Sequence, residues 1–251
     1  MVLFSLCIPT MRRFDKFLDQ YLEIYLDMKN AGILDEIIVC DENGNDYAKI
    51  LHRYNNGDPY GPIKIYKNQT KLGAFKNKLK VASLANSKNF VAVIDSDNLV
   101  GPDYFEAATM FIHRNQLRIT DDVVLCPYKT ESQQHSFDYS EFLNIPFDYL
   151  KTREYSGFQN FQVLLNTGNY IITKHVYDKL NFTDEEVANA GPYDVIFKHM
   201  LAFYQNPRYR VYLVNDMKYM HIVHEQSFYL QTHQQSIDYY YQHIIPQLCH
   251  L

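Results

Sequence analysis

Short apolar runs alternate with amphipathic stretches along the first hundred residues. Leu3–Ile8, Glu36–Cys40, Ile63–Tyr66 and Phe90–Ile94 are brief and β-rich, and predict buried strands. Between them, Phe14–Lys29 carries Phe14, Phe17, Leu18, Tyr21, Leu22, Tyr25 and Leu26 at helical spacing and predicts an amphipathic helix. Tyr47–Tyr54 and Ala74–Ala85 predict further helices, and Asn55–Pro62, with its two Gly and two Pro, predicts a loop. Strand and helix signals in alternation predict an α/β fold, with a mostly parallel central sheet flanked by crossover helices.

The pattern is less regular beyond residue 100. Gly101-Pro102-Asp103 opens a predicted helix over Tyr104–Arg114, and Lys174–Leu180, Pro192–Tyr204 and Ser236–Leu248 predict three more. Val123–Cys126, Gln162–Leu165, Asn169–Thr173 and Arg210–Val214 read as strands, so this half is expected to be mixed. Lys129–Tyr155 is polar and aromatic with little periodicity. No internal repeat or linker divides the chain, and one domain over residues 1–251 is the simplest expectation.

Composition narrows the class. Of 251 residues, 47% are hydrophobic and 21% charged, enough apolar material for a sizeable core. The net charge of -5 argues against a nucleic-acid-binding chain. No apolar stretch reaches membrane-spanning length, and Val2–Ile8 is too short for the apolar core of a signal peptide. These features predict a soluble, cytoplasmic protein, with peripheral membrane association left open. The four cysteines make no metal-binding spacing. Cys7, Cys40 and Cys126 lie in apolar runs and read as buried thiols of a reducing compartment.

The chemistry concentrates at the C-terminal ends of the predicted strands. Asp95-Ser96-Asp97 follows directly on Phe90–Ile94, at the sheet edge where open α/β folds bind ligands. Aspartates two apart suit a hard divalent cation, Mn²⁺ or Mg²⁺, and that cation suits a diphosphate. Pro9, Thr10, Met11 and Arg13 follow the first strand, Asp41 the second, and Lys71, Gly73 and Lys76 the third. A carboxylate can accept the imide N–H of a uracil-like base, Gly admits close backbone approach, and Lys and Arg neutralise phosphate. Each has a plainer reading: Thr10 as a helix cap, Asp41 as a turn residue, Lys76 on a solvated helix face. Their shared edge is what points to a ligand.

Taken in order, Ile8-Pro9-Thr10, Val39-Cys40-Asp41-Glu42-Asn43-Gly44-Asn45-Asp46, Asn68 with Gly73-Ala74-Phe75-Lys76-Asn77, and Val93-Ile94-Asp95-Ser96-Asp97-Asn98 resemble the nucleotide-binding half of GT-A-fold glycosyltransferases, especially family 2. The likeness covers roughly residues 3–100 and continues more weakly to about residue 227. It implies a GT-A (Rossmann-like) sheet, with a nucleotide-binding half over 1–100, an acceptor half over 101–227 and a helical tail over 228–251. It implies a nucleoside diphosphate sugar as donor and a glycan or other hydroxyl compound as acceptor. Asp41 would meet the base, with uracil expected and guanine or thymine as alternatives. Lys76 would meet the nucleotide or diphosphate, Ser96 would border the donor, Asp95 would sit near the ribose and share the metal, and Asp97 would be the direct metal ligand. Met11 stands where many members carry an aromatic residue.

Further along, Gly191-Pro192-Tyr193-Asp194 resembles the family segment whose acidic pair lies beneath the acceptor, with Tyr193 replacing the first acid. By that resemblance Asp194 is the general base of an inverting transfer. A late histidine, His224 or alternatively His221, would complete the metal site and favour Mn²⁺. Asn166-Thr167-Gly168-Asn169 would form a floor near the sugar. Two other functions remain as rivals. A nucleotidyltransferase would need a Gly-rich phosphate loop after the first strand, where Pro9–Arg13 has no Gly. A carbohydrate- or nucleotide-binding module would turn nothing over.

Overall fold

The computed structural model describes residues 2–127, 129, 170–179, 208–222, 224–225, 234, 235, 238, 242 and 246. Strand β1 (Phe4–Thr10) is buried along its whole length. It pairs in parallel with β2 (Glu36–Asp41) on one side and with β4 (Phe90–Val93) on the other. Strand β3 (Lys64–Lys67) extends the β2 side. Beyond β4 lie β7 (Ile171–Thr173), β6 (Val123–Pro127) and β8 (Arg210–Val214), giving the order β3-β2-β1-β4-β7-β6-β8. Among the described strands of this sheet only β7 runs against its neighbours, so the expected mostly parallel α/β sheet is present, with its mixed part in the second half.

The helices cover both faces. A π-turn over Phe14–Leu18 leads into α1 (Asp19–Asn30), which buries Tyr21, Leu22, Tyr25 and Met28 at the helical spacing read from the sequence. α4 (Pro102–Arg114) starts on the proline favoured at a helix's first position and buries Tyr104, Phe105, Ala108 and Ile112. These side chains join Phe4, Leu6 and Ile8 of β1 in one apolar cluster, with the Phe4 and Phe105 rings 5.2 Å apart. Residues alternate across a strand, so Ser5 and Cys7 point to the opposite face. There α3 (Ala74–Ser83) crosses β1, β2 and β4 and packs on α5 (Lys174–Asp178). The short α2 (Asn45–Arg53) packs against β2 and β3.

Several boundaries differ from the sequence reading for one reason: the strand partners decide where pairing stops. Polar Pro9-Thr10 and Asp41 were expected to lie beyond their strands, but Thr10 pairs with Asp41 and both remain in the ladder. The first helix opens as a π-turn because the Arg13 carbonyl accepts amides from both Phe17 and Leu18, at 3.0 and 3.1 Å. A two-stranded sheet, β5 (Leu99–Val100) with β9 (Tyr219–Met220), has no counterpart in the sequence reading, since two-residue strands carry no periodicity. Gln162–Leu165, Pro192–Tyr204 and most of Ser236–Leu248 lie outside the described residues. Cys7, Cys40 and Cys126 are free and buried, and burial pushes the Cys40 thiol up to about 12. No helix among the described residues is long and apolar enough to cross a membrane.

Buried polar groups lock the two edges of the sheet. At the N-terminal edge, Glu36 accepts from Lys64 Nζ at 2.6 Å, from the Asn86 amide at 2.7 Å and from the Ser5 hydroxyl. Burial alone would raise this carboxyl, but those donors outweigh it and hold it below the usual carboxylate range. At the C-terminal edge, Glu42 accepts from Asn68 Nδ2 at 2.9 Å and from the Gly73 amide. Asn68 Nδ2 also donates to Asn77 Oδ1 at 2.9 Å, and Asn77 Nδ2 donates to the Cys40 carbonyl at 3.0 Å. This network fixes where α3 begins. Gly73 enters it at φ 85° and ψ 159°, a conformation essentially reserved for glycine.

Two stability changes follow. A carboxyl lowered by folding stabilises fully above its unfolded value, about 4.3 for glutamate, and the stabilisation is lost as pH falls through the lower, folded value. Glu36→Gln is therefore expected to cost about 2 kcal/mol at pH 7, with the gap to the native protein shrinking below about pH 4. Urea melts at several pH values check this, and a gap independent of pH would refute it. Gly73→Ala meets no atom within 4 Å of its new Cβ. Backbone strain alone is expected to cost about 1–3 kcal/mol, read as a lower melting temperature, and an unchanged one would contradict the assignment.

Candidate functional site

The strand order reverses between β1 and β4, and at such a switch point the C-terminal ends of parallel strands form a crevice in open α/β sheets. The segment after β1 is held by a residue absent from the sequence-based candidates. Asp46, 1% exposed in the first turn of α2, accepts from the Thr10 hydroxyl at 2.6 Å. It also accepts from the amides of Arg13 at 3.0 Å and Phe14 at 3.2 Å. A carboxylate on exposed helix-start amides is a cap delivered from a neighbouring helix. The Thr10 hydroxyl therefore serves this anchor, and Arg13 is aimed across the crevice.

Asp97 receives that arginine. Its Oδ2 lies 3.7 Å from Arg13 Nε and accepts from His224 Nε2 at 3.0 Å, with all three side chains less than a fifth exposed. His224 comes from far along the chain, and the small β5–β9 sheet brings it in. Leu99 and Val100 pair with Met220 and Tyr219, and just beyond that ladder Asn98 Oδ1 accepts the Ile222 amide at 2.9 Å. The Phe17 ring packs against the His224 imidazole at 5.0 Å. His221, the alternative, is instead engaged by Tyr219, whose hydroxyl lies 3.2 Å from its Nδ1. Burial, and then the charges of Asp95 and Asp97, push the Tyr219 hydroxyl well above its ordinary value.

Asp95 has a different partner. Lys78 Nζ donates to both its oxygens, at 2.9 and 2.8 Å. The sequence singled out Lys76, which sits partly buried in the first turn of α3. Ser96 is buried between the two aspartates, and the Asn98 amide closes the turn on the Asp95 carbonyl at 2.9 Å.

Beside this cluster, Met11, Arg12, Glu42, Asn43, Lys67, Asn68 and Lys71 line a cleft of about 320 Å³. Three cationic side chains make it suited to an anionic ligand. Arg12 takes a left-handed φ of 58° at its mouth, and Met11 is 44% exposed. Gly44 takes a φ of 83° that favours glycine, and its missing Cβ leaves room for the end of the Lys67 side chain. Asp41 lies beneath, fully buried, its oxygens accepting from the amides of Tyr47 at 2.7 Å and Asn43 at 3.1 Å. Burial pushes its carboxyl up against the pull of those amides. Gly73 is tied to Glu42, and Pro9 is buried in β1.

The structure thus joins Arg13, Asp97 and His224, pairs Asp95 with Lys78, and puts Met11 and Lys71 on one cleft. Asp194 and Asn166–Asn169 lie outside the described residues. Asp97 Oδ2 and His224 Nε2, hydrogen-bonded at 3.0 Å, are oxygen and nitrogen donors of the kind that could hold Mn²⁺ or Mg²⁺ once the imidazole nitrogen gives up its proton. Among the described residues no three His, Cys, Asp or Glu side chains converge as a metal site. The remaining ligands would be phosphate oxygens and water.

Comparisons with known proteins agree with this architecture. The fold is similar to that of S. aureus TarS, with TM-score 0.58 and 17% identity over 96% of this chain and 40% of that one. It is similar to TarS 1–349 in complex with UDP, with TM-score 0.58, 18% identity, and coverage of 96% and 66%. The complex of TarS 1–349 with UDP-GlcNAc gives TM-score 0.59, 17% identity, and coverage of 96% and 67%. The chain spans less than half of the longer TarS structure. No curated protein matches the sequence. Residues 5–175, more than half of the chain, match the profile described as Glycosyl transferase family 2, and the chain belongs to that family.

Proposed function

We propose that this chain transfers a sugar from a nucleoside diphosphate sugar, with UDP as the carrier, to a hydroxyl acceptor, with inversion at the anomeric carbon. The observation that carries the reading is the meeting of Asp97 with Arg13 and His224 at the crevice between β1 and β4. A carboxylate, an imidazole and a guanidinium from three distant parts of the chain stand where this fold binds nucleotides. The UDP and UDP-GlcNAc complexes of TarS, whose fold is similar, favour uracil as the base.

In this reading the nucleoside enters the cleft beside Met11 and Lys71, and the diphosphate extends toward Arg13. Asp97 and His224 would hold Mn²⁺ or Mg²⁺. That ion supplies positive charge to the departing diphosphate. Arg13 adds charge of the same sign, placed before reaction begins. The acceptor oxygen forms its bond to the anomeric carbon as the carbon–oxygen bond to the diphosphate breaks. The bonding pair leaves with the nucleoside diphosphate, and the acceptor proton passes to the Asp194 carboxylate.

Thermal unfolding against UDP-, GDP- and TDP-sugars, with and without Mn²⁺, tests the donor site. A ligand at a hundred times its dissociation constant adds about 2.7 kcal/mol, which for a chain of this size is roughly 5–10 °C. The expected result is an Mn²⁺-dependent shift with a UDP-sugar that Asp97→Ala abolishes. No shift with any donor would overturn the reading. Asp194→Asn is expected to keep the donor shift while losing transfer by at least about a hundredfold. Transfer at the native rate in that variant would remove Asp194 as the base.

A further inference from the structure

The two carboxylates of Asp95-Ser96-Asp97 are met by different cations, and the difference is built into the fold. Both Asp95 oxygens are held by Lys78, whose side chain is 15% exposed. Lys78 is not on a freely placed helix. The Gly73 amide at the start of α3 is bound to Glu42, and Asn77, the residue next to Lys78, bridges Asn68 and the Cys40 carbonyl. The network that fixes α3 therefore also sets Lys78 opposite Asp95. Asp97 faces the other way, toward Arg13 and His224.

We propose that Lys78 is a positioning residue that neutralises Asp95 and keeps it out of the divalent cation's ligand shell, leaving the cation to Asp97 and His224. This rests on the reading of Asp97 and His224 as the cation-holding pair. A divalent ion approaching Asp95 meets an ammonium already at ion-pair distance from both oxygens. Repulsion between the two cations is strongest where water is scarce. Asp95 instead becomes a fixed acceptor whose remaining lone pairs can receive hydroxyl groups of the donor. The sequence pattern, in which both aspartates share the metal, is thereby split into one ligand and one oriented acceptor.

Mn²⁺ alone is the probe, titrated into the full chain and followed by the spin-resonance signal of the free ion. Lys78→Met is expected to bind Mn²⁺ about tenfold more tightly, because Asp95 is released to join the shell. Lys78→Arg and the double variant Lys78→Met/Asp95→Asn should bind as the native protein does. The double variant, which removes both charges at once, tests the proposal even if Lys78→Met does not fold, whereas Asp95→Asn alone leaves the Lys78 ammonium uncompensated and should weaken Mn²⁺ binding. In metal-free protein, Lys78→Met and Asp95→Asn should lower the melting temperature non-additively, as two halves of one pair. A merely structural lysine would lower the melting temperature and leave Mn²⁺ affinity alone. Equal or weaker Mn²⁺ binding by Lys78→Met, or a tenfold loss in the double variant Lys78→Met/Asp95→Asn, overturns the inference. If native protein binds Mn²⁺ and Asp97→Ala does not, that failure concerns Lys78 alone. If neither the native protein nor Lys78→Met binds Mn²⁺, the cation reading itself falls and the inference with it.

Discussion

A carboxylate taken out of water has to be met by cations or hydrogen-bond donors, and this constraint organises the molecule from one sheet edge to the other. Glu36 gathers Lys64, Ser5 and Asn86 around the starts of β1 and β2. Asp122, before β6, accepts from His175 Nε2 at 2.7 Å and Lys179 Nζ at 3.2 Å, which ties α5 to the same edge. At the other edge Asp46 holds the chain leaving β1, Asp41 closes the turn into α2, and Glu42 sets the start of α3. The apolar core could form with helices slightly displaced along their axes. These carboxylates remove that freedom, because each accepts from two or more separate groups and tolerates little sliding.

The site belongs to the same scheme but uses it differently. Asp41, Asp46 and Glu42 are satisfied mainly by neutral donors fixed in the fold. Asp95 and Asp97 are met by charged or ionisable side chains: Lys78 for one, Arg13 and His224 for the other. A neutral amide in a turn cannot be exchanged for a ligand without unfolding the turn. A side chain reaching across a crevice can trade its partner for a phosphate or a cation at little cost to the backbone. The 3.7 Å separation of Arg13 from Asp97 is longer than a hydrogen bond, so that pair is the one most open to such exchange.

The fold class was legible because parallel strands buried on both faces read as near-continuous apolar runs, and Ile37–Cys40, Phe90–Ile94 and, but for Ser5, Phe4–Ile8 are such runs. The edge carrying the chemistry was legible for the same reason, since Pro9–Arg13, Asp41 and Asp95–Asp97 follow those runs directly. What each of these residues touches was not. Thr10 and Asp46 lie 36 positions apart, and Asp97 and His224 lie 127 apart. Neither spacing carries a periodic signal. That Lys78 meets Asp95 follows from the rotation of α3 about its axis. That rotation is fixed by Asn77, Asn68 and Glu42, a side-chain network no local pattern encodes.

Asn98 shows how much of the site depends on a residue with no chemistry of its own. Its amide closes the turn behind Asp95, its carbonyl accepts the Tyr25 hydroxyl at 3.4 Å, and its side chain receives the Ile222 amide. It is 2% exposed, and one residue thus links the aspartate turn, helix α1 and the segment carrying His224. The two-residue ladder of β5 and β9 is too short to hold that segment by itself. With Asn98 in place, the segment is fixed at both its strand and its loop, and His224 reaches Asp97 already oriented. Orientation settled in the fold need not be supplied by a ligand on binding, and the 3.0 Å contact of His224 with Asp97 is settled in this way.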